Sequence, residues 1–110
     1  MIVNVCPSRI ARATPEQVWR VLTTPERYGE WLQDAEVVEV RPPGSARPSQ
    51  RIELSASWLG RHWSAVIEVG AIDPNRRWIE LIAHLPFGIV NYEHVTVAEL
   101  DDGRTRIGFN

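Results

Sequence analysis

The spacing of the apolar residues changes near Glu36. Before this point, two short stretches repeat apolar side chains at i, i+3 and i+4, the spacing of an amphipathic helix. The first repeat is Val18, Val21 and Leu22, and the second is Tyr28, Trp31 and Leu32. After Glu36, apolar and polar residues alternate, which is typical of strands that bury one face. The pattern predicts two helices followed by a sheet.

Both predicted helices have a recognisable start. Thr14, Pro15 and Gln17 match the capping box, in which a threonine and a glutamine three residues later satisfy each other's backbone N–H groups. Pro25 pushes Thr24 out of the helical region and so ends the first helix. Thr24 can then cap the second helix, with Pro25 at its first position. The stretch therefore predicts two short helices back to back.

Seven strands are predicted around these helices. The first covers residues 2–12, where Pro7 places it at an edge or a bulge. The other predicted strands are Glu36–Arg41, 51–59, 62–70, 78–85, 89–100 and Arg104–Phe109. This order predicts one α+β domain over residues 1–110, with a curved, mostly antiparallel sheet of about seven strands and two short helices after the first strand.

Such a sheet is larger than its helices can cover. Two short helices leave an apolar strip of several hundred Å² on the concave face, more than a monomer usually exposes. A ligand, a second subunit or further chain is expected to cover this strip.

Charge and composition argue against several classes of function. The net charge is −2 over 110 residues and all twelve basic residues are scattered arginines, which argues against nucleic-acid binding. The longest apolar runs are far shorter than the ~20 residues that span a bilayer, so no stable membrane insertion is expected. The N-terminus lacks a signal-peptide pattern, and Cys6 is the only cysteine. These features predict a cytoplasmic protein.

The five tryptophans are the first candidates for a binding site. Trp58 and Trp63 lie on neighbouring predicted strands across a turn at Gly60, where they can line a pocket for a flat apolar ligand. The alternative is that the tryptophans fill the core and reach the surface with their indole N–H groups.

Strand 89–100 has the most unusual polar residues. If Val95 and Val97 face the cavity, Asn91 and Glu93 face it too, because side chains alternate along a strand. A carboxylate in an apolar pocket has a raised pKa and can act as a general acid or base. The alternative is that strand twist carries Glu93 to the solvated rim.

The histidines do not predict a metal site. His62, His84 and His94 lack zinc-ligand spacing, and no cofactor fingerprint occurs in the sequence. Glu80 and His84 are expected to point outward, since the other face of their strand is uniformly apolar. Cys6 is expected to be a buried small hydrophobic residue.

Several segments together resemble the START / polyketide cyclase-like superfamily (SRPBCC, helix-grip fold). They are Ala13-Thr14-Pro15 followed by E-Q-V-W, then P-E-R-Y-G-E-W, E-V-V-E-V, I-D-P-N-R-R-W and D-D-G-R-T-R-I. The resemblance implies a curved sheet gripping a long C-terminal helix, with a deep apolar cavity between them. That helix would begin where the sequence stops at Asn110, so the domain is expected to be incomplete at its C-terminus.

Three functions remain open from the sequence. The leading one is binding of a small hydrophobic ligand, such as a lipid, polyketide or aromatic metabolite. The second is a polyketide cyclase/dehydratase-type enzyme that uses Glu93 as its acid or base. The third is a protein-interaction or self-associating module, in which the uncovered sheet face docks a partner chain or a second copy to form a homodimer. The expected ligand contacts are Trp31, Trp58, Trp63, Ile67, Leu81, Asn91 and Val95, with no cofactor and no metal.

Overall fold

A computed structural model describes residues 8–109, and for Trp58 it describes the backbone only. Residues 2–7 of the predicted first strand, including Cys6, lie outside the described residues. The helices are α1 (Pro15–Leu22) and α2 (Pro25–Glu30), of which α2 is a 3-10 helix. The strands are β1 (Ser8–Ala11), β2 (Ala35–Arg41), β3 (Arg51–Trp58), β4 (Arg61–Asp73), β5 (Trp78–His84), β6 (Val90–Glu99) and β7 (Thr105–Phe109).

The predicted start of α1 is confirmed, whereas that of α2 differs in detail. The Gln17 N–H donates to Thr14 Oγ1 at 3.2 Å, and the Thr14 N–H donates to Gln17 Oε1 at 2.9 Å. Thr24 precedes α2 but its side chain does not cap that helix. Its hydroxyl donates instead to the Arg20 carbonyl at 2.6 Å, because the last carbonyls of α1 also need donors.

The strands form one antiparallel sheet in the order β1-β7-β6-β5-β4-β3-β2, which confirms the predicted α+β fold. Strand β4 runs to Asp73, past the predicted end at Gly70. The pairing with β5 shifts between Val69 and Ile72, so an irregularity of the β-bulge type lets the strand continue. A side chain at Gly70 would collide with the Glu80 carboxylate.

Three contacts place α1 at one end of the sheet. Thr105 Oγ1 donates to the carbonyl of Ala13, just before the helix, at 2.6 Å. Arg77 in the β4–β5 turn pairs with Glu16 in the first helical turn. The Ala46 N–H, in the β2–β3 loop, donates to the carbonyl of the residue after α1 at 2.8 Å. The helix therefore crosses the end where these connections lie, which we call the helix end.

The opposite end of the sheet, the hairpin end, carries the β3–β4 and β5–β6 turns. Its turns expose large apolar side chains, with Leu59 75% and Phe87 83% exposed. Both residues have positive φ, 51° and 66°, a conformation in which non-glycine residues are uncommon.

One face of the sheet packs against the helices and forms the core; we call it the covered face. The fully buried members at its centre are Tyr28, Ile52, Val69, Ile79 and Val95. On the opposite face, Glu80 Oε2 lies 2.9 Å from His94 Nε2, and Glu68 Oε2 lies 3.4 Å from His84 Nε2. Glu80 and His84 thus point away from the core, as the alternation predicted.

Tyr28 anchors α2 to α1. Its ring is fully buried, and its hydroxyl donates to the Leu22 carbonyl at 2.7 Å. Because this carbonyl belongs to the last turn of α1, no backbone N–H within the helix donates a hydrogen bond to it. Burial raises the pKa of the Tyr28 phenol above its ordinary value.

Replacing Tyr28 with phenylalanine is expected to lower the free energy of unfolding by ~1–2 kcal/mol at neutral pH, through loss of this hydrogen bond. A raised folded-state pKa gives stability that is complete below the unfolded-state pKa of about 10 and is lost as the pH rises toward the folded-state pKa. The Y28F variant should therefore lose less stability than the wild type above about pH 10. Urea unfolding across the alkaline range measures both effects. Y92F is the matched control, because Tyr92 is 67% exposed, and an equal response of both variants would contradict the prediction.

Candidate functional site

A cavity of about 820 Å³ lies beside α1, between the helices and the β1–β7–β6 side of the sheet. The helices and the segment after α2 supply most of its wall, and three strands supply the rest. The lining residues are Arg9, Ala13, Gln17, Val18, Arg20, Val21, Leu22, Arg27, Trp31, Leu32, Gln33, Glu93, Ile107 and Phe109. Eight of these fourteen are apolar.

The strand register explains how the sheet residues reach the cavity. Ile107 lies opposite Arg9 on β1 and opposite Val97 on β6, so the three share the covered face. Phe109 lies opposite Val95. Glu93 is two residues before Val95 on the same face, and its side chain lines the cavity.

Glu93 is half-buried in the cavity wall, where the alternation along β6 predicted it. Its Oε1 accepts a hydrogen bond from Asn91 Nδ2 at 3.1 Å. Within residues 8–109, it makes no ion pair with an arginine or histidine. The arrangement offers one carboxylate that can exchange a proton with a molecule in the cavity. The catalytic role of Glu93 stays a prediction.

Trp31 also lines the cavity, and its role as a ligand contact stays a prediction. Its ring meets Tyr28 edge to face, with the ring centroids 5.0 Å apart. Its Nε1 is buried and has no hydrogen-bond partner among the described residues. A buried N–H without an acceptor lowers the stability of the folded protein by ~1–3 kcal/mol. The tryptophan thus gives the cavity an aromatic wall.

The remaining expected ligand contacts do not converge on this cavity. Ile67, Leu81 and Val95 lie on the covered face but are buried in the core cluster with Val18 and Leu22. This separation arises because the helices already pack over the middle of the sheet. Their role in ligand binding stays a prediction.

Trp63 and Asn91 lie toward the hairpin end. The Trp63 ring is 5.6 Å from that of Phe87, centroid to centroid. Asn91 is exposed and reaches the cavity only through its hydrogen bond to Glu93. The backbone of Trp58 pairs with Arg61 next to the β3–β4 turn, and its side chain lies outside what the structure describes.

Sequence reasoning missed the arginines of the cavity wall. Arg9 reaches it because β1 pairs with β7, a contact between the two ends of the chain that local patterning does not reveal. Arg20 and Arg27 belong to the helices, at positions outside the apolar repeats. Arg27 holds Glu30 with two bonds of 2.6 and 3.1 Å, and this hydrogen bonding lowers the pKa of Glu30.

An open antiparallel sheet with two short helices on one face and a cavity beside them matches the helix-grip fold of SRPBCC-type proteins. The model of the family described as polyketide cyclase / dehydrase and lipid transport matches residues 4–110, and the chain belongs to this family. A comparison with curated protein sequences found no match. In residues 8–109, no helix is long and apolar enough to cross a membrane.

Solved structures share this fold at low sequence identity. Protein Ms6760 from Mycobacterium smegmatis is 19% identical with a TM-score of 0.74, over 94% of this chain and 68% of that one. The Zhui aromatase/cyclase from a Streptomyces strain is 20% identical with a TM-score of 0.72, over 96% of this chain and 63% of that one. Ara h 8.0201 is 14% identical with a TM-score of 0.67, over 96% of this chain and 72% of that one. The present chain thus spans about two-thirds of each structure.

Proposed function

We propose that this protein binds a small hydrophobic molecule in the cavity beside α1. The observation that carries the proposal is the cavity itself, whose volume of about 820 Å³ falls in the range of small-molecule sites. Its wall is mainly apolar, and Trp31, Ile107 and Phe109 provide flat or branched surfaces for packing. Family membership supports the same role, since the family includes lipid transport.

Titration with the neutral dye phenylnaphthylamine tests this function, because its fluorescence rises when it leaves water. We expect saturable binding of one dye per chain, with a dissociation constant on the order of 100 µM or tighter. Competition by the neutral alcohol dodecanol should displace the dye. If native mass spectrometry and fluorescence both show no occupancy, the proposed function is wrong.

Filling the cavity with an indole ring from the α1 side is expected to weaken dye binding by about tenfold or more, because the ring occupies space that the ligand needs. The change is Val21→Trp, since Val21 lines the cavity from α1 and is only partly buried. V38W is the matched control, because Val38 is 60% exposed on β2 and does not line the cavity. The same titration measures both, and equal affinities for the two variants would place the dye elsewhere.

A second candidate function, that of a cyclase/dehydratase-type enzyme, is favoured by a single residue, Glu93. A half-buried carboxylate in the wall of an apolar cavity, oriented by Asn91, is suited to moving protons during a cyclisation and dehydration. In this alternative the apolar wall folds a flexible substrate into a reactive conformation, and Glu93 acts as acid and base. Self-association through the uncovered part of the sheet stays a prediction that light scattering can check.

A further inference from the structure

The cavity wall carries an excess of positive charge. Three arginines and one glutamate line it. Arg27 is held in two bonds by Glu30, which offsets its charge. Arg9 and Arg20 have no ion pair and no side-chain hydrogen bond among residues 8–109. Two guanidinium groups on the wall are therefore available to a ligand.

Glu93 does not serve as the counter-charge of Arg9. Arg9 is opposite Ile107, which is opposite Val97, and Glu93 lies four residues farther along β6. With ~3.4 Å per residue along a strand and ~4.8 Å between strands, the two backbone positions are roughly 17 Å apart. The Glu93 carboxylate already accepts the Asn91 amide. An acidic group bound at Arg9 would thus be distant from the carboxylate of the wall.

We propose that the ligand is an apolar molecule that carries one carboxylate, and that Arg9 and Arg20 bind this carboxylate. The inference rests on the proposed ligand-binding function. A guanidinium presents a planar pair of donors that matches a carboxylate, and it desolvates more easily than an ammonium group. With Arg27 offset by Glu30, two arginines against Glu93 leave a net charge of +1 on the wall, which suits a single negative charge.

A matched ligand pair tests the proposal in the whole chain. Dodecanoate and dodecanol have the same alkyl chain and differ in charge, and each is measured by displacement of phenylnaphthylamine. We expect dodecanoate to bind about fivefold tighter than dodecanol. Raising NaCl from about 10 to about 200 mM should weaken dodecanoate binding and leave dodecanol binding unchanged.

Substitution of both arginines by glutamine, R9Q with R20Q, should weaken dodecanoate binding by about tenfold and change dodecanol binding by less than about twofold. R106Q is the control, since Arg106 is exposed on β7 next to Ile107 but alternates onto the opposite face. Each single variant is measured as well, so that a folding defect in the double variant does not decide the outcome.

The outcomes separate this inference from the function on which it rests. If dodecanol binds as tightly as dodecanoate, or if R106Q weakens dodecanoate binding as much as the cavity variants, the acid-binding proposal is wrong while the ligand-binding function stands. If neither compound nor the dye binds, the proposed function itself fails.

Discussion

Replacing Ile79 with alanine is expected to lower the free energy of unfolding by about 3–4 kcal/mol. Ile79 is fully buried at the centre of the covered face, between Ile72 on β4 and Val95 on β6. Removing its branched side chain loses the transfer free energy of the buried carbons and leaves a void that close-packed neighbours fill only in part. Urea unfolding at neutral pH measures the loss.

The controls for Ile79 come from the same residue type. I79V should lower the free energy of unfolding by about 0.5–1.5 kcal/mol, because it removes one carbon and leaves most of the packing. I89A should lower the free energy of unfolding by less than about 1 kcal/mol, since Ile89 is 54% exposed near the hairpin end. If I79A costs no more than I89A, the middle of the sheet is not packed by the helices as described.

Replacing Glu93 with glutamine is expected to slow a cyclisation by about a hundredfold if the protein is an enzyme, because proton transfer by a positioned carboxylate contributes at least that much. A suitable probe is the linear triketone diacetylacetone, which closes through its enol oxygen onto a carbonyl and loses one water to give the dimethylpyranone. Absorbance of the product gives the rate. Glutamine keeps the size of the side chain and its hydrogen bonding but cannot exchange the proton.

The control for Glu93 is E99Q, because Glu99 lies on the same strand, is exposed and is outside the cavity. If the wild type and E99Q accelerate the cyclisation and E93Q does not, the result supports the enzymatic function. Absence of acceleration in the wild type, or equal rates for E93Q and E99Q, would reject the acid/base role. Dye binding measured on the same samples keeps the carrier function separately testable.

Features that depend on neighbouring residues could be predicted from the sequence. The capping box at Thr14 and Gln17 forms within one helical turn, and the structure shows both of its hydrogen bonds. Alternation along 89–100 placed Glu93 on the same face as Val95, because successive side chains of a strand point to opposite faces. Both predictions rest on backbone geometry that operates over a few residues.

Features that depend on distant segments were missed. The pairing of β1 with β7 brings Arg9 beside Ile107, and no local pattern encodes it. That Ile67, Leu81 and Val95 contact a ligand stays a prediction, and the structure places all three in the core cluster. The helices pack over the centre of the sheet and leave the cavity to one side, where Arg20 and Val21 of α1 form part of the wall.

The amino-acid sequence by itself determined the α+β class, the capped start of α1 and which face of each strand is apolar, because periodicity and capping are set by local backbone geometry. Only the tertiary structure decided where the empty space lies and which charges line it. A cavity is what remains after helices and strands from distant parts of the chain have packed, so its position follows from their three-dimensional arrangement and not from any single segment.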